Sequence, residues 1–393
     1  MAAPLLDIAE ARERVLQAAA PLPTEDVPVD DALGRVLAEE VSAAHAVPPF
    51  RNSAMDGYAV RSGNAGRDLL VVGESRAGRP ADVAVGDGEA IRISTGAMVP
   101  EGADAVLQQE LVEDRGERIT LLDEVAPGRN VREAGEDLAA GDEVLGAGTR
   151  LGPAELGVAV HAGRASVRCS RRPRVAVLAT GDELVPAGEP LDPGQIHDSN
   201  RTTLAALARR DGAEVVLARV VPDNAAETRS AIEEALDAAD VVLLSGGVSV
   251  GPHDHVKPAL ADLGVEERFW RVALRPGKPT WFGVRGRTLV FGLPGNPVSA
   301  MVTFLLFARP ALAALQGAES PAARRVVLGE RLMCHPDRDE CVRVRLEDGK
   351  AFATGPQGSH VLRSMALADG LVVVPRGAGQ ALDAGTEVEL LAV

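Results

Sequence analysis

The sequence predicts a multidomain protein of α/β plus β class, with one doubly wound α/β unit set among β-rich modules. Three observations lead there. Between Arg174 and Ala308 short apolar runs alternate with helical patterns, which means a mostly parallel sheet with helices on both faces. Residues 43 to 140, and the tail after about Ala318, are written instead in Gly-rich, short alternating runs, the text of β modules. At 393 residues the chain is long enough for two to four domains with separate cores.

The elements follow in chain order. Asp7 to about Ala20 predicts an amphipathic helix, with Asp7 and Glu10 at capping-box spacing and Ile8, Ala11 and Val15 on one face. Ala105 to Leu111 and Arg118 to Val125, joined across Asp114-Arg115-Gly116-Glu117, predict a hairpin. Val175 to Thr180 is a short apolar run suited to a strand buried on both faces. The pattern then predicts a helix over Thr202 to Arg210, a strand over Glu214 to Val221, a helix over Ala225 to Ala238 and a strand over Asp240 to Leu244. Further strands are expected near Phe269 to Leu274 and over Thr288 to Gly292, then a helix from Pro297 and a late turn at Asp348-Gly349.

Composition narrows the classes of function. Apolar residues make up 46% of the chain and aromatics 3%, so the cores are built from Val, Leu, Ile and Ala. The net charge of −16 argues against nucleic acid as a partner, because phosphate binding needs a basic surface. Cys169, Cys334 and Cys341 form neither a disulfide framework nor a CxxC metal pair. The start lacks a basic region followed by an apolar stretch, so no signal peptide is expected and a cytoplasmic location fits. Thr288 to Ala308 holds no charge over a bilayer-like length, but Gly-Leu-Pro-Gly-Asn-Pro at 292 to 297 forbids one continuous helix. No membrane span is expected. Cations are nearly all Arg; the only lysines are Lys257, Lys278 and Lys350.

Ligands of open α/β sheets bind beyond the carboxyl ends of the strands. Those ends carry Thr180-Gly181-Asp182-Glu183, Pro222-Asp223-Asn224, Ser245 to Gly251 followed by Asp254, and Leu293-Pro294-Gly295-Asn296-Pro297. Ser245 to Gly251 is either a tight turn or a loop whose N–H groups fold around an anion. Asn296-Pro297 either caps a helix or offers free N–H groups to phosphate. Asp223 either caps the helix after it or reaches a ligand. Asp182, Glu183 and Asp254 are oxygen donors on loops at one sheet edge, which suits Mg²⁺. No GxxxxGK[ST] or sheet-opening GxGxxG occurs, the seven histidines make no HExxH, and His253 with His255 is too little for zinc.

Several further motifs stand in order along the chain. They are Pro48-Pro49-Phe50 with Asn52 to Val60, Ile91 to Gly96 with Val99 to Gly102, Gly135-Glu136-Asp137, and Ala179 to Leu184. Ser245 to Gly251, Arg275 to Pro279, Gly292 to Ser299 and Gln357 to His360 complete the set. This ordered set resembles the molybdopterin molybdenumtransferases, bacterial molybdenum insertion enzymes whose family includes the C-terminal domain of the scaffold gephyrin.

The resemblance implies an elongated homodimer of four-domain subunits. The α/β domain would cover 7–22 and 172–317 and look like molybdopterin adenylyltransferases. A small linking domain would cover 23–42 and 141–171, a β-rich domain 43–140, and a β-barrel-like domain 318–393. The implied reaction takes adenylyl-molybdopterin and molybdate, places the metal on the pterin and releases AMP, with Mg²⁺ required. Carried over by motif, Asp56, Thr95, Asp137 and Glu183 would be catalytic. Asp223, Ser245, Gly246, Gly247, Ser249, Arg271, Arg275, Lys278, Pro294, Gly295, Asn296, Arg343 and Ser359 would bind substrate. Glu183, Asp254 and Asp182 would hold the metal. The family often has Lys where this chain has Arg271 and Arg275, which keeps charge but changes hydrogen-bond geometry. Two other roles fit less well. A molybdopterin adenylyltransferase, also a possible partner, is typically one small domain, and a non-catalytic scaffold need not keep the acidic edge.

Overall fold

The computed structural model describes residues 5–247 and 255–393. Its centre is a six-stranded sheet in the order Glu214–Val221, Arg174–Thr180, Val241–Ser245, Thr288–Leu293, Trp281–Arg285, Glu266–Trp270. The first four strands run parallel, Trp281–Arg285 runs against them, and Glu266–Trp270 pairs antiparallel with Trp281–Arg285. Helices Ile8–Ala18, Asn200–Arg210 and Pro297–Leu315 cover one face, and Ala225–Ala238 and Val256–Asp262 cover the other. Buried Val, Leu, Ile, Ala and Phe fill both layers, which is why the central strands read as unbroken apolar runs.

Two expectations along this unit need correction. The Trp281–Arg285 strand is absent from the sequence reading, and the single strand expected near Phe269 to Leu274 is two, Glu266–Trp270 and Leu274–Arg275. Asp7 makes no cap to its helix. Its carboxylate instead accepts from Arg376 Nη2 at 2.5 Å, a partner from the far end of the chain. The cap of Ala225–Ala238 is Asn224, whose Oδ1 accepts from the N–H groups of Ala226 and Glu227. Asp223 is thereby left out of the cap.

From Pro297 to Leu315 the chain forms one helical segment with a π turn at Phe304–Ala308. It is long and apolar enough to cross a membrane by composition, with mean hydropathy 1.8, but 89% of that stretch is buried inside the protein. It is a core helix.

Residues 43 to 140 carry a second six-stranded sheet, in the order Ala105–Gln108, Gly57–Val60, Glu89–Ile93, Asp68–Ser75, Arg118–Leu121, Val112–Asp114. The expected hairpin is shorter than its sequence pattern: Val112–Asp114 turns into Arg118–Leu121, while Ala105–Gln108 pairs with Gly57–Val60. Between this module and the central unit lies a small unit in which Thr24–Pro28 pairs with Ser166–Ser170 beside the helix Pro153–His161. The C-terminal strands Asp339–Glu347, Lys350–Ala353, Arg324–Leu328, Glu387–Ala392 and Gly370–Val374 close into a five-stranded barrel. Asp348 and Gly349, at φ +49° and +75°, form its tight hairpin. Leu274–Arg275 pairs with Asp339 and Glu340, which ties the barrel to the α/β unit.

The only tyrosine offers a probe of the β-rich module. Tyr58 is buried, its hydroxyl donates to Asp114 Oδ2 at 2.6 Å, and Arg92 lies 5.0 Å from its ring centroid. Burial, then the bond to Asp114, pushes its pKa up to about 12. The neutral phenol is favoured in the folded state, so its contribution to stability is whole below the unfolded value near 10. It is lost as pH rises toward 12. Absorbance at 295 nm should show one phenol titrating near 12 in native protein and near 10 in denaturant; a native midpoint near 10 would refute the buried Tyr58–Asp114 bond.

Candidate active site

The carboxyl ends of the parallel strands surround a cavity of about 510 Å³. Its wall is built from Thr180, Gly181 and Glu183 after the first strand, Asp223 after the second, Ser245 to Gly247 after the third, and Gly295 to Pro297 after the fourth. Asp198 to Asn200 closes it from the start of the next helix. Gly181 sits at φ +150°, and a side chain there would run into the Glu183 carboxylate. This glycine lets Glu183 fold over its own strand end. Asp182 stands behind the wall, where its Oδ1 accepts the Asp223 N–H at 2.9 Å and holds that loop in place. Gly246 and Gly247, at φ +92° and +61°, bend the third loop over Thr180, and the Gly246 N–H donates to Leu293 O at 3.1 Å.

A second cavity of about 390 Å³ opens beside the first and shares Asn296 and His360 with it. Its wall holds Arg275, Lys278, Pro294, Arg338 and Ser359, and no carboxylate among the described residues lines it. Asn296 Nδ2 donates to Ser359 Oγ at 3.0 Å, so barrel loop and helix start form one wall. Among the described residues, carboxylates line one cavity and guanidinium and ammonium groups its neighbour.

The remaining expected site residues lie elsewhere. Asp56 and Thr95 meet on the β-rich module, where Asp56 Oδ1 accepts from Thr95 N at 2.7 Å and from Thr95 Oγ1 at 3.1 Å. The turn Ser94 to Ala97, with Gly96 at φ +78°, presents that N–H. Gly57 is needed beside it, because a Cβ would strike the Leu107 carbonyl of the adjoining strand. Asp137 lies apart from this pair, 3.4 Å from His161 Nε2 at the join to the linking helix. No hydrogen bond or ion pair among the described residues joins 43–140 to 172–317.

Arg271, at φ +72°, stacks 3.9 Å from the Trp270 ring centroid and lines neither cavity. Ser245 is buried, with its Oγ accepting from Asn200 Nδ2 at 2.8 Å. Arg343 is wholly buried, and its Nη2 donates to the carbonyls of Pro356 and Gly358. It backs the Gln357–His360 loop from behind the cationic cavity. Ser249 and Asp254 lie outside the described residues.

Sequence reasoning placed Thr180 at the ligand-binding strand ends but gave no site role to Asp198, Asn200, Arg338 or His360, which also line the cavities. The run Asp198-Ser199-Asn200 before a helical pattern was the available signal for two of them. Nothing local marks Arg338, which reaches the cavity only because the barrel packs there.

The donor set fits Mg²⁺. Among the described residues no three His, Cys, Asp or Glu side chains converge on one point. Glu183 and Asp223 face the cavity as oxygen donors, with the imidazoles of His197 and His360 elsewhere in the wall and no thiolate among the described lining residues. One or two carboxylates completed by water and substrate phosphate is the usual coordination of this ion.

The chain was compared with known proteins. Residues 6–163 match the MoeA N-terminal region (domain I and II), 176–314 a probable molybdopterin binding domain, and 325–393 the MoeA C-terminal region (domain IV). A molybdopterin molybdenumtransferase of Haemophilus influenzae is 44% identical over 317 residues, 80% of this chain and 78% of that protein. Molybdopterin molybdenumtransferase 2 of Mycobacterium tuberculosis is 38% identical over 93% of this chain and 94% of its own length. The crystal structure of a molybdopterin biosynthesis moeA protein from Pyrococcus horikoshii superposes with a TM-score of 0.85 at 31% identity, covering 99% of this chain and all of that one. Matched along its whole length in sequence and in fold, the chain belongs to the molybdopterin molybdenumtransferases, transferases of molybdenum cofactor biosynthesis.

Proposed function

We propose that this transferase takes adenylyl-molybdopterin and molybdate, places the metal on the pterin and releases AMP, with Mg²⁺ required. One observation carries the reading: a cation-walled cavity lies beside a carboxylate-walled one and shares Asn296 and His360 with it. Molybdate is a dianion, and a chain of net charge −16 repels it unless fixed cations gather locally. Arg275, Lys278 and Arg338 supply that charge, and Asn296 with Ser359 supplies hydrogen-bonding groups for an oxyanion.

The nucleotide lies in the larger cavity. Glu183 and Asp223 would hold Mg²⁺ there, and the bound ion would screen phosphate charge and polarise the bond to be cleaved. Asp182 keeps the Asp223 loop in register, and Asn296 spans both cavities, so phosphate and oxyanion are held side by side. Cys169 and Cys341 are buried, and burial pushes both thiols up, away from the nucleophilic thiolate. No covalent protein intermediate is invoked.

Asp56 and Thr95 orient molybdate or water from the β-rich module of a partner subunit. Three features support a two-fold dimer with shared sites. The Asp56–Thr95 pair is exposed, it has exposed Phe50, Met55 and Met98 around it, and it makes no bond to the α/β unit of its own chain. A molybdopterin adenylyltransferase is the natural donor of the activated pterin, and delivery between the two proteins needs no membrane or nucleic acid. The reaction takes place in the cytoplasm.

Supplied with adenylyl-molybdopterin, the protein should release AMP only when molybdate and Mg²⁺ are both present, and EDTA should abolish release. Full turnover in chelated protein would sink the metal assignment, and ATP consumption in place of AMP release would point to an adenylyltransferase. Glu183→Ala should lose roughly 10²–10³ in rate while keeping its melting temperature within a few degrees, as removal of an electrostatic group from a site does. An active variant refutes the role; an unfolded one makes Glu183 structural. Subunit sharing is tested with Asp56→Ala and Glu183→Ala chains, each inactive alone. Random exchange makes about half of the dimers mixed, each with one intact site, so roughly a quarter of wild-type AMP release should return. Verified mixed dimers as inactive as their parents would exclude sharing.

A further inference from the structure

Two buried polar atoms in the larger cavity have no hydrogen-bond partner, Thr180 Oγ1 and Asn200 Oδ1. The Asn200 amide is not free to turn. Its Nδ2 donates to Ser245 Oγ at 2.8 Å and to Gly295 O at 2.7 Å, so both amide protons are committed. A flipped amide would set its oxygen against the Gly295 carbonyl. Oδ1 is therefore a fixed acceptor with nothing donating to it. Thr180, only 9% exposed, lies under the glycine loop. A Cβ at Gly246 would come within 2.8 Å of Thr180 Oγ1, and one at Gly247 within 3.1 Å. The glycines leave room for that hydroxyl beneath the loop. Asp198 beside them differs, because each of its oxygens already accepts a hydrogen bond, from Arg201 N at 3.0 Å and Nε at 2.7 Å.

A buried acceptor without a partner is costly in the free protein and strongly favours a ligand that donates to it. We propose that Asn200 is a specificity-determining residue that accepts a hydrogen bond from an amino group on the substrate's heterocycle, with Thr180 Oγ1 as the second contact. This rests on the pterin-nucleotide reading above. Both ends of such a substrate carry a ring-conjugated amine, on adenine and on the pterin, and that amine is the chemistry recognised.

Calorimetry on the full chain tests this with two pairs of probes. AMP is compared with purine riboside 5′-monophosphate, which lacks the 6-amino group. Pterin-6-carboxylate is compared with lumazine-6-carboxylate, in which oxygen replaces the 2-amino group. In one pair the wild-type protein should bind the amino compound about tenfold tighter, as a site built around a buried acceptor does. That pair identifies the ring. Asn200→Ala should erase the preference by weakening the amino compound alone. Should Asn200→Ala not fold, Thr180→Val gives the same reading, selective weakening of the amino compound. Discrimination below about twofold in both pairs, a preference that survives the substitution, or no binding of any probe overturns the proposal. Binding is read without molybdate or turnover. Amino selectivity without AMP release would therefore refute the proposed reaction alone, and AMP release without selectivity would refute this inference alone.

Discussion

The helix from Pro297 to Leu315 is the member on which the other parts are hung. Its start supplies Asn296, shared by both cavities, and its Val298 N–H donates to Ser359 O at 3.1 Å, which draws the barrel loop to the site. Gly277 of the cationic loop sits against it so closely that a Cβ would meet Thr303 Cγ2 at 2.6 Å. Farther along, buried Arg309 donates to Ala392 O at 2.7 Å and fixes the last barrel strand. At its end, Gln316 Oε1 accepts from Arg150 of the linking unit, while Nε2 donates to Asp211 O and Leu312 O. One apolar rod thus sets the positions of cavity, cationic loop, barrel and linker together. Nearly all of its side chains are buried, so it tolerates little change in volume.

Charge is partitioned in a way that burial alone would oppose. Behind the cation-walled cavity, Arg343 is wholly buried against the Gln357–His360 loop with Nε and Nη1 unpartnered. Desolvation lowers its pKa, yet a guanidinium stays charged far from solvent, where an ammonium would readily lose its proton. Its carbonyl bonds hold the loop, and its buried charge adds to the positive field in front. Glu340, 3.5 Å from Arg275 Nη1, limits that field from the barrel side.

Much of the α/β unit was legible because each element announces itself locally. Glu214–Val221 and Ala225–Ala238 have the bounds that periodicity gives, since an apolar run and a 3.6-residue stripe need no distant partner to be read. Failures occur where the partner is remote. Asp7 looks like a cap until Arg376 takes its carboxylate, and Ala105–Gln108 looks like half of a hairpin until Gly57–Val60 takes its edge. Trp281–Arg285 went unread because its text, interrupted by Gly283, carries no alternation; a Cβ there would strike the Trp281 ring and the Glu266 carbonyl. The acidic strand ends were legible as a set. Their division of labour, with Glu183 and Asp223 in the wall and Asp182 behind it, was not.

Asn200 shows why the finest part of a site escapes sequence reasoning. An Asn before a helical pattern reads as a cap, and many are. Here the amide is turned away from its own helix by Ser245, 45 positions on, and by Gly295, 95 positions on. These partners are brought together only by the order of the central strands, in which Val241–Ser245 lies between Arg174–Thr180 and Thr288–Leu293. The unpaired oxygen is thus a product of topology. It costs the free protein a hydrogen bond, and it would be removed by any substitution that let the amide relax. A polar atom left buried and unpaired by neighbours that fix its direction points to a ligand more sharply than a conspicuous acidic motif, because stability alone gives no reason to keep it.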